Sequence, residues 1–187
     1  MMKELSLNIL DIVENSISAG ASLIKIGITA DSAYDRLSIS IEDNGSGISK
    51  DKLQQITNPF YTTRTTREVG LGIPLFKMAA INAGGDFRIV SQVGKGTSIH
   101  AEFALSHIDR MPLGNITGTV HSLIVTNPDM DFYYRYQIDD VGFTLDTRDF
   151  RKILQDIPLN SAQVSLYIKE YLTENKSQVD KNFKFNV

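Results

Sequence analysis

Two polar side chains four residues apart, Asp11 and Asn15, interrupt an otherwise apolar stretch. On a helix they share one face. A carboxylate and an amide oxygen one turn apart can hold a hydrated Mg²⁺ and polarise an attacking hydroxyl; the same pair also suits an ordinary solvated face. Asp43-Asn44-Gly45-Ser46-Gly47 follows an alternating apolar run. A carboxylate there can accept a hydrogen bond from an exocyclic amine such as adenine's. The two glycines would let backbone approach a flat ligand, although Asn-Gly is equally a tight-turn signal. Gly70-Leu71-Gly72-Ile73-Pro74-Leu75 stands where a loop should enter a helix. Free N–H groups backed by a helix dipole make an anion site, and proline is tolerated in a first turn. Gly94-Lys95-Gly96-Thr97 reads by itself as a hairpin turn.

These groups need elements to position them. Leu5, Ile9, Ile12, Val13 and Ile17 recur at helical spacing, and Gly20 is the stop. Ile24, Ile26 and Ile28 alternate with small or polar residues, as do Leu37, Ile39 and Ile41, which predicts two half-buried strands. A short helix is expected over 50–56, a long polar loop over 57–72, and a helix from Ile73 to Asn82. Strands 87–90 and 97–103 follow, joined by the 94–96 turn. The order predicts an α+β fold, a two-layer α/β sandwich with helices on one face of a mixed sheet. The character of the chain changes near Leu105. A helix over 116–126, a hairpin of 132–138 with 142–145, and helices over 147–155 and 161–174 are expected. The last dozen residues are expected to fray. The predicted organisation is one domain over 1–104 and a small α+β appendage over 105–187.

Composition sets bounds. The 187 residues are 42% apolar and 22% charged, with net charge −3. Neither half is strongly biased in sign, so no basic face is expected for nucleic acid. The absence of cysteine excludes disulfides, thiol catalysis and cysteine metal sites, and fits a reducing cytoplasm. No signal-peptide pattern and no run of about 18 apolar residues is present, so direct membrane insertion is not expected. Residues 154–172 faintly suggest helix-turn-helix DNA binding, but few are basic, and a plain helical hairpin is the expectation.

Taken together, the boxes resemble the gyrase, histidine kinase and MutL-type ATPase superfamily in order and spacing, over residues 3–104. "DIVENSISAGA" resembles its N box, closest to the MutL form, and "DNGSG" its first glycine box. "NPFYTTR" looks like the segment opening the ATP lid in histidine kinases, "GLGIPL" like the second glycine box and "GKGT" like the third. The resemblance implies ATP and Mg²⁺ as ligands. It implies Asn15 as the Mg²⁺ ligand and Asp43 as the adenine contact, directly and through water near Thr97. Gly45, Gly47 and Ile48 would form the adenine wall, and Phe60 would anchor the lid. Gly70, Leu71 and Gly72 would offer N–H groups to the phosphates. Thr62, Thr63 and Arg64 would approach the triphosphate, with Arg67 as a further candidate. Arginine suits phosphate because it stays charged and binds it bidentately.

One position departs from the pattern. Hydrolysing members carry glutamate four before the asparagine, as general base; here it is Asp11, one methylene shorter. Misplacement of about 1 Å can cost ~10²-fold in rate. Glu14 is longer but lies on another helical face. Ser106-His107-Ile108-Asp109-Arg110-Met111-Pro112-Leu113-Gly114-Asn115-Ile116 resembles the kinase phosphoacceptor box, with Ile108 where an acidic residue would take the imidazole proton. His107 is the candidate acceptor, against a linker or interface histidine. His100 reads as surface and His121 as packing. The leading expectation is a signalling or regulatory kinase or ATPase with a protein partner, as phosphoacceptor or regulated protein, and a possible homodimer. The alternatives are a MutL-like ATP-gated dimerisation module and an anti-sigma-like binder with little turnover.

Overall fold

The computed structural model describes residues 4–57, 72–155, 157–181 and 183. Helix α1 (Leu5–Ser18) leads into a hairpin of β1 (Leu23–Asp31) and β2 (Arg36–Asp43). Helices α2 (Lys50–Thr57) and α3 (Gly72–Asn82) precede β3 (Phe87–Gln92) and β4 (Gly96–Ala104). Then come α4 (Ile116–Thr126), β5 (Asp131–Ile138), β6 (Val141–Asp146), α5 (Thr147–Leu154) and α6 (Ala162–Asp180). The six strands form one mixed sheet in the order β3-β4-β2-β1-β5-β6. The fold is α+β, as the patterning implied.

The alternation in the strands decides which face is covered. Ile24, Ile26, Ile28, Leu37, Ile39, Ile41, Ile99, Ala101 and Phe103 are buried on one face. Their neighbours Lys25, Glu42, His100 and Glu102 stay at least partly exposed on the other. Helix α1 lays Leu5, Ile9, Ile12 and Val13 into that core, and Phe76 of α3 packs on Phe87 and Phe103.

Residues beyond 105 enter the same sheet. β5 pairs with β1 in parallel, Ile26 opposite Tyr134, and β6 adds an antiparallel edge. The N-terminus of α1 is tied to this half, since the N–H groups of Leu5 and Ser6 donate to the carbonyls of Pro112 and Leu113. Helix α6 runs six residues past the expected end at 174. Its last turns are held by contacts that a local reading misses. Val179 is buried, Lys176 pairs with Asp180, and the Tyr136 hydroxyl donates to Asp180 at 2.8 Å.

Candidate functional site

Asp43 closes β2, and four strands meet beside it. Ser91 faces Thr97, Thr97 faces Asp43, and Asp43 faces Ile24, so the first three side chains share the covered face. Asp43 Oδ1 accepts the N–H of Gly45 at 2.9 Å and that of Thr97 at 3.3 Å. Its Oδ2 accepts the hydroxyl proton of Ser16 at 2.8 Å. A carboxylate offers about four acceptor positions, so Oδ2 keeps a free lone pair. Ser16 reaches it because it continues the buried stripe of α1, one turn after Ile12. Asn15, its neighbour, is exposed at the edge of the same cavity.

The loop after Asp43 is fixed from several sides. Asn44 Oδ1 accepts the N–H groups of Ser22 and Leu23, and its amide donates to Ser22 Oγ. Ser46 N–H donates to the Ala19 carbonyl, and Gly94 N–H to the Ser46 carbonyl. Ile48 N–H donates to Ser91 Oγ at 2.8 Å. Two glycines permit this closeness. Gly47 has φ +68°, and a Cβ there would stand 2.1 Å from the Gln92 carbonyl oxygen. Gly96 has φ +113°, and its Cβ would stand 1.9 Å from the Asp43 carbonyl oxygen. Their freedom is used for backbone packed on backbone.

Between α1, this loop, α2, the start of α3 and β4 lies a cavity of about 340 Å³. That is the lower range of ligand pockets, roughly 300–1,000 Å³. Ile12, Ile48, Ile56, Ile73 and Ile99 supply apolar walls; Asn15, Ser16, Asp43 and Thr97 supply polar groups. Asn15, Asp43, Gly47, Ile48 and Thr97, five of the sequence-derived candidates, thus line one space. Gly45 stands behind it, its missing side chain leaving room for the Ala19 carbonyl and the Asp43 carboxylate. Asp11 lies one turn before Asn15 and beneath Gly72, whose Cβ would stand 3.0 Å from Asp11 Cβ. The start of α3 and its positive dipole end therefore sit on the Asp11 side chain. Phe60, Thr62, Thr63, Arg64, Arg67, Gly70 and Leu71 lie outside the described residues.

The histidines stand elsewhere. His107 is in a turn segment, not a helix, and its Nδ1 accepts the N–H of Asp109 at 3.1 Å. Its ring rests against Gly84, past the C-terminal end of α3. The cavity is at the other end of that helix, about 16 Å away at 1.5 Å per residue. The structure does not bring His107 to the site. His121 bonds Ser165 across α4 and α6, and His100 pairs with Glu102 on the open sheet face.

Sequence reasoning missed Ser16, Lys52 and Ser91. A polar residue at an inward-facing phase, as Ser16 is after Ile12 and Ser91 after Phe87 and Ile89, was the available signal. Lys52 has no such signature; it is the one cationic side chain lining the cavity among the described residues.

The chemistry of the donor set fits a purine nucleotide and its metal. A free carboxylate lone pair at an apolar slot suits an exocyclic amine. No cluster of three acidic or histidine ligands able to cage a metal occurs among the described residues. A single amide oxygen, Asn15's, suits a Mg²⁺ held chiefly by phosphates and water.

Comparison with known proteins agrees on the nucleotide. Residues 2–107, over half of the chain, match the family model described as histidine kinase-, DNA gyrase B- and HSP90-like ATPase. The chain belongs to this family. Residues 2–107 are therefore an ATP-binding, histidine kinase-like ATPase domain. Over 92 residues the chain is 35% identical to sporulation kinase C of Bacillus subtilis, covering 47% of this chain and 20% of that protein. Over 90 residues it is 32% identical to the sensor histidine kinase ZraS of Escherichia coli, covering 48% of this chain and 19% of that one. The chain thus spans about a fifth of these kinases' length. In fold it is similar to the Aquifex aeolicus MutL ATPase domain complexed with ADP, with a TM-score of 0.57 and 13% identity over 83% of this chain and 70% of that one. No described helix is long and apolar enough to cross a membrane.

Proposed function

We propose that this ATPase-family domain binds ATP with Mg²⁺ in the Asn15–Asp43 cavity and serves a regulatory kinase or ATPase. The γ-phosphate would pass to a side chain of a protein partner, or slowly to water. The observation that carries the reading is that Asn15 and Asp43, 28 positions apart in sequence, line one cavity with Thr97. Asp43 reads the purine amine, with Ile48 as wall. Asn15 completes the coordination of a phosphate-bound Mg²⁺. Gly72 and the start of α3 receive the phosphates, with Gly70, Leu71, Thr62, Thr63 and Arg64 completing the phosphate side. Phosphoryl transfer relies on positioning and charge stabilisation, which such a cradle supplies. Asp11 stands where a base would act, and its short reach favours slow turnover.

Calorimetry with ATP, with and without Mg²⁺, tests binding; no heat in either condition for the intact chain would remove the reading. Incubation with γ-labelled ATP tests transfer. Label that becomes bound to a partner protein supports the kinase role, and label released only as phosphate supports the ATPase role.

One observation favours a second reading, an ATP-gated interaction module. Helix α1 bears Asp11 at its middle and Asn15 one turn later, and its first two residues are bonded to residues 112–113. Nucleotide contact with α1 could thereby bias the half of the molecule beyond 105, including a homodimer contact. Solution mass unchanged by a non-hydrolysable ATP analogue would count against it.

A further inference from the structure

We infer that Ser91, on the edge strand, sets the direction of the Thr97 hydroxyl and so makes the end of the cavity acceptor-only, which selects a 6-amino purine over a 6-oxo purine. The inference rests on the nucleotide reading above and adds to it a specificity-determining residue.

Three contacts converge on Ser91 Oγ. It receives the Ile48 N–H at 2.8 Å, lies 3.0 Å from the Gly96 carbonyl oxygen, and lies 2.9 Å from Thr97 Oγ1. A serine hydroxyl has one proton and two lone pairs. The Gly96 oxygen can only accept, and the Ile48 N–H can only donate. All three contacts are hydrogen bonds at once in a single arrangement. Ser91 donates to Gly96, and Thr97 donates to Ser91. The alternative, Ser91 donating to Thr97, leaves its contact with the Gly96 carbonyl empty. Partly buried polar groups are driven towards full pairing.

The consequence falls on Thr97. Its proton is spent on Ser91, so its oxygen presents lone pairs to the cavity. Asp43 Oδ2, its proton donor being Ser16, also presents a lone pair. An exocyclic amine has two N–H groups for two such acceptors, directly or through water. A 6-oxo purine sets a third acceptor there, and its one donor on that edge, the ring N1–H, can serve only one of the two lone pairs. Such a mismatch discriminates strongly, because the site's polar groups are left unpaired. Ser91 touches no ligand in this scheme. It is a positioning residue that acts through Thr97, and it also fixes Ile48.

The test compares affinities for ATP and inosine 5′-triphosphate, by calorimetry, in the wild-type chain and in Ser91→Ala. Freed from Ser91, the Thr97 hydroxyl can rotate and donate to a 6-oxo group. The preference for ATP should fall by roughly fivefold to tenfold, the scale of one hydrogen bond. Ser91→Thr, which keeps the hydroxyl on a strand, should restore it. In a Thr97→Val background, Ser91→Ala should no longer change the preference. Equal weakening for both nucleotides in Ser91→Ala would mean that Ser91 only supports the loop, and an unchanged preference would also overturn the inference. Should Ser91→Ala not fold, Ser91→Cys, a weak donor of similar size, must lower the preference in the same direction. A wild-type chain that binds neither nucleotide would refute the nucleotide reading itself.

Discussion

The two ends of the sheet handle polar groups in opposite ways. At the β3-β4-β2 end, Ser16 and Thr97 hold the Asp43 carboxylate and Ser91 holds Thr97, yet lone pairs are left facing a cavity. At the β5-β6 end, polar groups close on themselves. Arg151 is spent on Asp131 and on the Pro128 and Met130 carbonyls, and His121 on Ser165. Lys176 covers the Tyr136 ring and pairs with Asp180. Phe143, packed by Tyr134, Tyr136 and Tyr171, fills the space between. One end is organised to receive a polar ligand, and the other to complete a core.

That contrast can be broken experimentally. Ile168→Ala empties a fully buried position of α6. It should cost about 3 kcal/mol, lowering Tm by roughly 6–12 °C, with ATP affinity unchanged below the transition. Calorimetric melting also tests the division near 105. One transition for the whole chain fits the shared sheet; two would fit a separate domain over 105–187. Asp43→Asn should act in reverse, with ATP affinity down roughly 10- to 100-fold and Tm little moved. A large loss of Tm without loss of affinity would erase the contrast.

A smaller effect is expected at alkaline pH. Burial, with Asp180 nearby, pushes the Tyr134 phenol well above its ordinary value, and Tyr136 likewise. Their neutral forms are therefore held in the folded state. Stability should be complete below about pH 10, where unfolded tyrosine begins to ionise, and fall above it. At pH 11 each contributes a loss of about 1 kcal/mol. The Tyr134 hydroxyl has no partner among the described residues. Tyr134→Phe should be near neutral at pH 7 and flatten the fall in Tm between pH 9 and 11. An identical slope in the variant would refute the assignment.

The smallest effect is at the start of α5. Asp146 caps the helix through the Arg148 N–H, and the Arg148 guanidinium lowers its carboxyl below the usual range. The stabilisation is present above about pH 4 and lost as pH falls through the lowered value. Asp146→Asn should cost about 2 °C of Tm at pH 7, and the difference should shrink as the pH falls through that lowered value, by thermal melting.

The core strands and most helices were legible because each carries its own period. The alternation of Ile24, Ile26 and Ile28 and the recurrence of Ile9, Ile12 and Val13 are local facts. Asn15, Asp43 and Thr97, which line one cavity, could be grouped from sequence only through resemblance, since each motif alone has an ordinary explanation. The end of α6 was misjudged because Lys176 and Asp180 look like a fraying polar tail until Tyr136 stands beneath them.

By itself the sequence determined most of the elements, the buried faces of β1 and β2, and side chains whose chemistry suits a purine or a phosphate-bound metal, each with an ordinary explanation as well. Those follow from side-chain period and functional-group chemistry, which need no neighbours. Only tertiary structure decided that β5 lies parallel to β1, roughly 100 residues away in the chain, and that His107 stands at the far end of α3 from the cavity. It alone decided which way the protons of Ser16, Ser91 and Thr97 point. Strand pairing and proton direction depend on partners that the chain brings together only when it folds.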